Sequence, residues 1–385
     1  SDDPEQAYFA DGVTEDIITA LSRIRWFFVI ARNTAFTYQN QAMDVQAVAR
    51  ELGMRYILEG SVRKAGNRIR VTAQLIDGAN GQQLWAERYD RDFQDIFDLQ
   101  DEITETVVGA IEPEVAQAEL DRTKAKRSEN LDAWDLCLRA RAQVYLFTQE
   151  AVEEAVSLCR RAIERDSNLA RAHSTLALAY QRQLLLNYAK DREAVRQSVR
   201  RTAQRAVALD REDAEGHTVL GLALWNAGEA DEAISVLNTA VALNPSYAFA
   251  QSTVGLALGT SSGPERAMEF HDTAIRLSPR DPQLAIFLSR HANSCINMGK
   301  HEKAVDLAKR AIHLSGGNLW LNFVEAATAL AHLNRIEEAR DMVRRMKSIH
   351  PDASVQAVRR AFPIADPAAD EHYMNGLRLA GLNED

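Results

Sequence analysis

Proline and aromatic residues are scarce in this chain, with 9 Pro and 7% Phe, Trp and Tyr among 385 residues. That scarcity excludes Pro-rich linker and collagen-like classes. Cysteine is scarcer still. Cys137, Cys159 and Cys295 form an odd set without CxxC or Cys/His ligand spacing, so a disulfide framework is excluded. Buried free thiols in a reducing, cytoplasmic setting are expected instead. No apolar run approaches the ~18–20 residues that span a bilayer, and no basic stretch leads into an apolar one at the start, so no membrane partner is expected. Positive charge is also in deficit: the net charge is −10, which disfavours direct nucleic-acid binding. The opening SDDPEQAYFADG lacks an initiator Met and reads as a cut inside a longer protein.

What is present is helix-forming material. Hydrophobic residues make up 46% of the chain, and abundant Ala, Leu, Arg and Glu lose little rotamer freedom in a helix. Residues 11–24 place Val13, Ile17, Ile18, Leu21 and Ile24 on one helical stripe, with Asp11 as its N-cap. Trp26–Ala31 reads as a strand buried on both faces. Asp44 caps a short helix through Val45, Val48, Ala49 and Leu52 that Gly53 terminates. Three extended segments follow, Arg55–Lys64, Arg68–Ile76 and Gln82–Asp90. The turns Ala65-Gly66-Asn67 and Asp77-Gly78-Ala79-Asn80-Gly81 join them into a meander. In the middle segment Ile69, Val71, Ala73 and Leu75 alternate with polar residues, predicting one packed face. A helix from about Phe93 to Leu120, with Ile96, Leu99, Ile103, Val107 and Ile111 in phase, closes the domain, and Pro113 marks a kink or break.

From about Leu131 the pattern becomes a helical repeat. The alanines of RAIERD, RAVALD, TAVALN, TAIRLS and RAIHLS are Ala162, Ala206, Ala240, Ala274 and Ala311, at intervals of 44, 34, 34 and 37. A period of 34 is that of the tetratricopeptide repeat. Gly221, Ala233, Ala240 and Pro245 of one unit recur as Gly255, Ala267, Ala274 and Pro279 in the next. Small residues are required where two helix backbones approach closely, and Pro ends the second helix. Asn226-Ala227-Gly228 and Asn297-Met298-Gly299 supply left-handed caps between the paired helices. About six hairpins over 131–351 are expected. The extra ten residues of the second should lie around QLLLNYAKDRE, lengthening its helices or its turn.

The stretch FADGVTEDIITALSRIRWFFVIARNTAFTY, continuing through ELGMRYILEGSVRKAGNRIRVTAQLIDGANGQQLWAERYDRDFQDIFDLQDEI, resembles the TolB-like domain of bacterial multidomain signalling proteins. In that family tetratricopeptide repeats follow, a class III adenylate/guanylate cyclase domain commonly precedes, and in related proteins a winged-helix DNA-binding domain does. The tail FPIADPAADEHYMNGLRLAGLNED is similar to the family's usual ending. The resemblance implies an α+β N-terminal domain over 1–122 and a linker over 123–130. An all-α tetratricopeptide superhelix over 131–351 and capping helices over 352–385 complete the chain. Family members carry an apolar strand just before the position of SDDPEQ, so this sheet is expected to lack its first strand. The resemblance also implies service to an upstream output domain, without placing cyclase activity in these residues.

Candidate chemistry is thin. The acidic run Asp92, Asp95, Asp98, Asp101, Glu102 and Glu105 lacks the loop glycine of an EF-hand and fits a solvated helix face. His173 and His217 occupy equivalent repeat positions, so a repeated packing slot accounts for them better than metal ligation. Gly78 and Gly81 are turn residues, not a phosphate loop. No local nucleophile signature is present, and no cofactor or metal ion is implied. What remains is the concave surface of the superhelix, where Arg171, Gln181, Trp225, Asn226, Asn293 and Asn297 should face a protein or peptide partner. That groove lacks a dense Lys/Asn set, so a generic acidic C-terminal tail is not the preferred ligand. The expected function is a non-catalytic regulatory and protein-interaction module, open to homo-oligomerisation. The alternatives are a small-ligand sensor with the repeats as transmitter, the C-terminal part of a winged-helix regulator, and an enzyme in its own right.

Overall fold

A computed structural model describes residues 4–38, 44–65, 68–92, 96–124, 132–261 and 263–385. The expected turn residues Gly66 and Asn67, the helix start at Phe93, Asp95, the linker residues 125–130 and Leu131 lie outside them. The chain divides into two compact units, Ser1–Arg122 and Thr123–Asp385.

In the first unit α1 spans Pro4–Ser22. It begins well before the expected cap, so Asp11 is an interior residue. The cause is Phe9, which is buried and extends the Val13 and Leu21 stripe by one further turn. After α1 the expected strand Trp26–Ala31 does not form; the chain is irregular there and leads into a short helix, α2 (Arg32–Phe36). Side-chain anchoring replaces ladder pairing. Trp26, Phe27 and Val29 pack on the core, Trp26 Nε1 donates to Glu112, and Phe28 stands 80% exposed, so the segment is not buried on both faces.

Helix α3 (Val45–Leu52) is capped by Asp44, whose carboxylate accepts from the Gln46 amide at 3.0 Å, and Gly53 ends it at φ 64°. The strands β1 (Tyr56–Ala65), β2 (Arg68–Asp77) and β3 (Gln83–Asp92) form an antiparallel meander in the order β1-β2-β3. Ile69, Val71, Ala73 and Leu75 are all buried, as the alternation predicts. Helix α4 (Ile96–Lys124) runs through Pro113 without splitting. Its Leu99, Ile103, Val107 and Ile111 join the sheet residues and Phe9, Val13 and Leu21 in one core. Polar ties reinforce this packing: Arg122 pairs with Asp77 at 2.7 Å, and the Tyr56 hydroxyl donates to Glu119 at 2.6 Å.

The second unit contains six hairpins among the described residues. They are α5 (Ala133–Val144) with α6 (Gln149–Arg165), α7 (Ala170–Leu185) with α8 (Arg192–Leu209), and α9 (Ala214–Asn226) with α10 (Ala230–Leu243). Then come α11 (Ala248–Gly259) with α12 (Pro264–Leu277), α13 (Leu284–Asn297) with α14 (His301–Leu314), and α15 (Trp320–His332) with α16 (Ile336–Ile349). Two further helices, α17 (Val355–Ala361) and α18 (Pro367–Leu379), end the chain.

The repeat phase has a direct packing cause. Ala162, Ala206, Ala240, Ala274 and Ala311 are fully buried, as are Ala233 and Ala267. A Cβ on Gly221 would lie 2.4 Å from Leu237 Cγ, and one on Gly255 would lie 2.6 Å from the His271 ring. The turn at Gly228 adopts φ 80°, a conformation that L side chains resist. His173 Nε2 lies 3.1 Å from the Ser167 carbonyl and His217 Nε2 2.9 Å from that of Arg211. One repeat later, Gln251 Nε2 donates to the Pro245 carbonyl at 2.8 Å. All three use the oxygen six residues upstream, so this slot is structural.

The second hairpin absorbs its extra residues everywhere. Its helices have 16 and 18 residues against 13 and 14 in the third hairpin, and its turn at 186–191 is longer.

Candidate functional site

Helices α7, α9, α11, α13 and α15 form the inner wall of the repeat array, and burial shows what has become of that wall. Every residue of α11 is buried, as is every residue of α13 except Asn297 and of α15 except His332. Their partners α10, α12 and α14 bury only one face each. A helix buried all round is covered on both sides, so something lies against the inner wall. It is the chain's own C-terminal segment. The Ala365 amide donates to the Thr260 carbonyl at 2.8 Å, Phe362 is buried, and Tyr373 of α18 donates its hydroxyl to Glu325 of α15.

The elongated second hairpin completes the closure. Its turn reaches across the array, where Trp320 Nε1 donates to the Leu185 carbonyl at 3.1 Å and Asn187 Nδ2 lies 3.0 Å from His350 Nε2. Arg192 donates to the Arg360 carbonyl at 3.1 Å and also to the Leu184 carbonyl and Asn187.

This closure corrects the expected open groove. Arg171, Gln181, Trp225 and Asn293 are buried, and only Asn226 and Asn297 keep partial exposure. Trp225 Nε1 donates to Thr260 Oγ1 at 2.8 Å, and Asn226 Nδ2 donates to Gln181 at 2.8 Å. Asn297 Nδ2 donates to the Gly259 carbonyl at 3.0 Å and lies 3.4 Å from Asn293 Oδ1. Arg171 and Arg141 flank Glu215, 3.7 and 2.5 Å from its Oε2. Burial pushes the Glu215 carboxyl up, but the two guanidiniums outweigh it and hold the pKa below its ordinary value. Removing one partner of such a buried pair is strongly destabilising.

At the centre sit two cations that phase reasoning passed over. Arg182 of α7 and Arg290 of α13 are both buried, and neither forms an ion pair with a carboxylate among the described residues. Arg182 stacks over Phe147 and donates to Gln283 at 2.5 Å; Arg290 stacks over Phe249 and donates to Ser252 and Thr253. Burial draws Arg182 down to about 10 and Arg290 to about 9, the latter with help from its like-charged neighbour, so both remain cationic at neutral pH. Gln181, Trp225, Ser289 and Phe362 join them around a cavity of ≈ 20 Å³, room for about one water. The available hint was spacing, since Arg290 stands three residues before Asn293 on the same helical face.

Other groups fill out the chemistry. The three thiols are free and buried, and burial pushes Cys137 and Cys159 up and Cys295 to about 11, which makes them poor nucleophiles. In the acidic run, Glu102 pairs with Arg91 at 2.8 Å. His301, His332 and His372 gather one nitrogen each within 4.8 Å of one another. Sequence reasoning missed this trio because its members come from α14, α15 and α18 and share no local spacing. Burial is the main influence on two of them: it lowers His301, and with His372 and His301 adding, it brings His332 to about 4.

Comparison with known proteins bears on the repeats. The tetratricopeptide-repeat family matches residues 188–248. A Rhizobium meliloti protein named "Putative adenylate cyclase 3" is 42% identical over 233 residues, 60% of this chain. The chain spans 40% of that relative's length. Among solved structures, the APC/C hetero-tetramer Cut9-Hcn1 aligns over 71% of this chain and 49% of its own at 15% identity, with a TM-score of 0.48. A thermophilic tetratricopeptide-repeat protein of Thermus thermophilus aligns over 50% of this chain and 97% of its own, at 23% identity and a TM-score of 0.40. No helix among the described residues is long and apolar enough to cross a membrane.

Proposed function

We propose that the chain is a non-catalytic protein-interaction and regulatory module whose inner wall binds an extended peptide in place of its own C-terminal segment. The observation that carries this reading is the Arg182–Arg290 pair, buried without a carboxylate partner among the described residues and lining one cavity with Phe362. A buried cation without an anion is costly, and a peptide carboxylate supplies the missing charge while Trp225 offers an aromatic anchor. This revises the partner preference: the cations are arginines within the array rather than a Lys/Asn clamp at its mouth.

The regulatory half of the proposal rests on the N-terminal unit and on the relative. We assign residues 1–122 to the TolB-like group on the quoted sequence stretch. We place the module in service of a nucleotide cyclase domain in a longer protein, in line with the name of the Rhizobium relative, 40% of which this chain spans. The three buried free thiols support a reducing, cytoplasmic setting.

The test is a displayed random-peptide selection against wild type and Phe362→Ala, the variant that uncovers the pair. Enrichment of carboxylate-bearing sequences on Phe362→Ala, abolished by adding Arg182→Ala, is the expected result. Recovery of no sequence above an unrelated control protein overturns the peptide-binding reading. ATP and GTP cyclisation by the isolated chain should stay at background, and turnover there overturns the non-catalytic one.

A further inference from the structure

The three histidines at the far end of the repeat array come from separate elements: His301 opens α14, His332 closes α15 and His372 lies in α18. Their rings form a triangular cluster in which two pairs stack and the third is tilted. His332 and His372 are 4.0 Å apart between centroids at 12°, His301 and His332 4.8 Å at 22°, and His301 and His372 5.6 Å at 32°. Packing three imidazoles together leaves polar capacity unused. His301 Nδ1 is buried with no hydrogen-bond partner among the described residues, a state that costs free energy unless something satisfies it.

We propose that His301, His332 and His372 form a site for a divalent d-block cation of the Zn²⁺ class, which fastens the C-terminal helix α18 to the last two hairpins. Three nitrogens within 4.8 Å are close to what such an ion needs. Bonds of about 2.0–2.1 Å at tetrahedral angles put ligand nitrogens roughly 3.3 Å apart. Half-exposed side chains cover the remaining distance by small rotations about χ1 and χ2. All three residues are partly exposed, so the ion has a route in and a fourth position is left for water or a partner's side chain.

The surroundings agree. His332 Nε2 lies 3.1 Å from the His372 carbonyl, the kind of partner a ligating imidazole uses to fix its tautomer and orientation. Three nitrogen donors select Zn²⁺, Ni²⁺ or Cu²⁺ over Mg²⁺ and Ca²⁺, which take oxygen ligands. None of the three histidines lines the Arg182–Arg290 cavity, so the metal titration and the peptide selection read different residues.

The experiment is isothermal titration of the full, untagged, chelator-stripped chain with Zn²⁺, with Mg²⁺ as the control ion. One Zn²⁺ per chain, no Mg²⁺ uptake, a rise in Tm with Zn²⁺, and an affinity at least tenfold weaker in His372→Gln and in His301→Gln are the expected results. His173→Gln, which lies in the structural slot of an early repeat, should bind like wild type. Co²⁺ titration of wild type gives a readout free of any folding defect in the variants, the intense visible bands of a tetrahedral nitrogen-ligated ion. Absence of one-to-one uptake by wild type, affinity unchanged in both variants, or a Co²⁺ spectrum of the weak octahedral aquo type overturns the proposal.

Discussion

The amide of Ala365 donates to the carbonyl of Thr260 across 2.8 Å, and the Thr260 hydroxyl accepts from Trp225 Nε1 at the same distance. One residue at the end of α11 thus joins an inner-wall aromatic to the segment that covers it. The inner wall is held in an intramolecular contact, and on the proposed reading the energetics of that contact decide how readily the wall becomes available to a peptide.

Phe362 is the apolar centre of the cover. It is 4% exposed and lies over the Arg182–Arg290 cavity. Truncation to Ala removes most of a buried aromatic, which costs about 3–5 kcal/mol when the surroundings do not collapse. Hydrogen exchange is expected to accelerate at Ala365, with the amides of α9 and α10 unchanged. Equal protection of Ala365 in wild type and Phe362→Ala would show that the polar contacts alone hold the segment.

Glu325 gives the same end of the array a pH dependence. It is fully buried, burial pushes its carboxyl up to about 8, and the Tyr373 hydroxyl donates to it. With the folded pKa above the unfolded one, the native state holds a proton that the unfolded state has released. Stability from this group is therefore complete below about pH 4 and falls as pH rises toward 8, by about 1.4 kcal/mol per pH unit. Glu325→Gln should flatten that decline and raise Tm at pH 8 relative to wild type. Thermal melts of both proteins between pH 5 and 8 that run parallel would sink the assignment.

The periodic parts of this fold were legible in the sequence and the long-range parts were not. Ala206, Ala240 and Gly221 announce themselves because close backbone approach demands small side chains at fixed phase, and Ile69 to Leu75 because a half-buried strand alternates. Trp26–Ala31 misled because an apolar run fixes neither burial on both faces nor hydrogen-bond partners: Phe28 is exposed, and one-sided packing of Trp26, Phe27 and Val29 anchors the segment. The groove residues were placed by phase on the inner wall, yet phase is silent on what lies against that wall. The cover comes from Phe362 and Ala365, more than a hundred residues downstream of Trp225 and Thr260. The histidine trio escaped for the same reason.

Arg192 links the elongated hairpin to the cover. Its guanidinium donates to the carbonyls of Leu184 and Arg360 and to Asn187. Arg192→Ala leaves these acceptors without their donor, at a cost of about 1–3 kcal/mol if water does not replace it. Faster exchange around residues 184–187 and 360–365 together, with 230–245 unaffected, is the expected pattern. Faster exchange on one side alone would mean that the turn and the cover are not coupled.

The small-residue contact between α9 and α10 is the most direct check on the repeat packing itself. Ala233 is fully buried, and Gly221 on the facing helix has no room for even a methyl group beside Leu237. Ala233→Leu inserts three carbons where two backbones meet, so the hairpin must splay or strain its rotamers, at about 1–3 kcal/mol. Thr239 lies on the exposed face of the same helix, and Thr239→Leu should change stability by less than about 0.5 kcal/mol. Chemical denaturation separates the two: a midpoint lowered only by the first substitution places the cost in the helix contact. Equal midpoints for Ala233→Leu and wild type would mean that the hairpin tolerates the larger side chain and that small size at this phase has another cause.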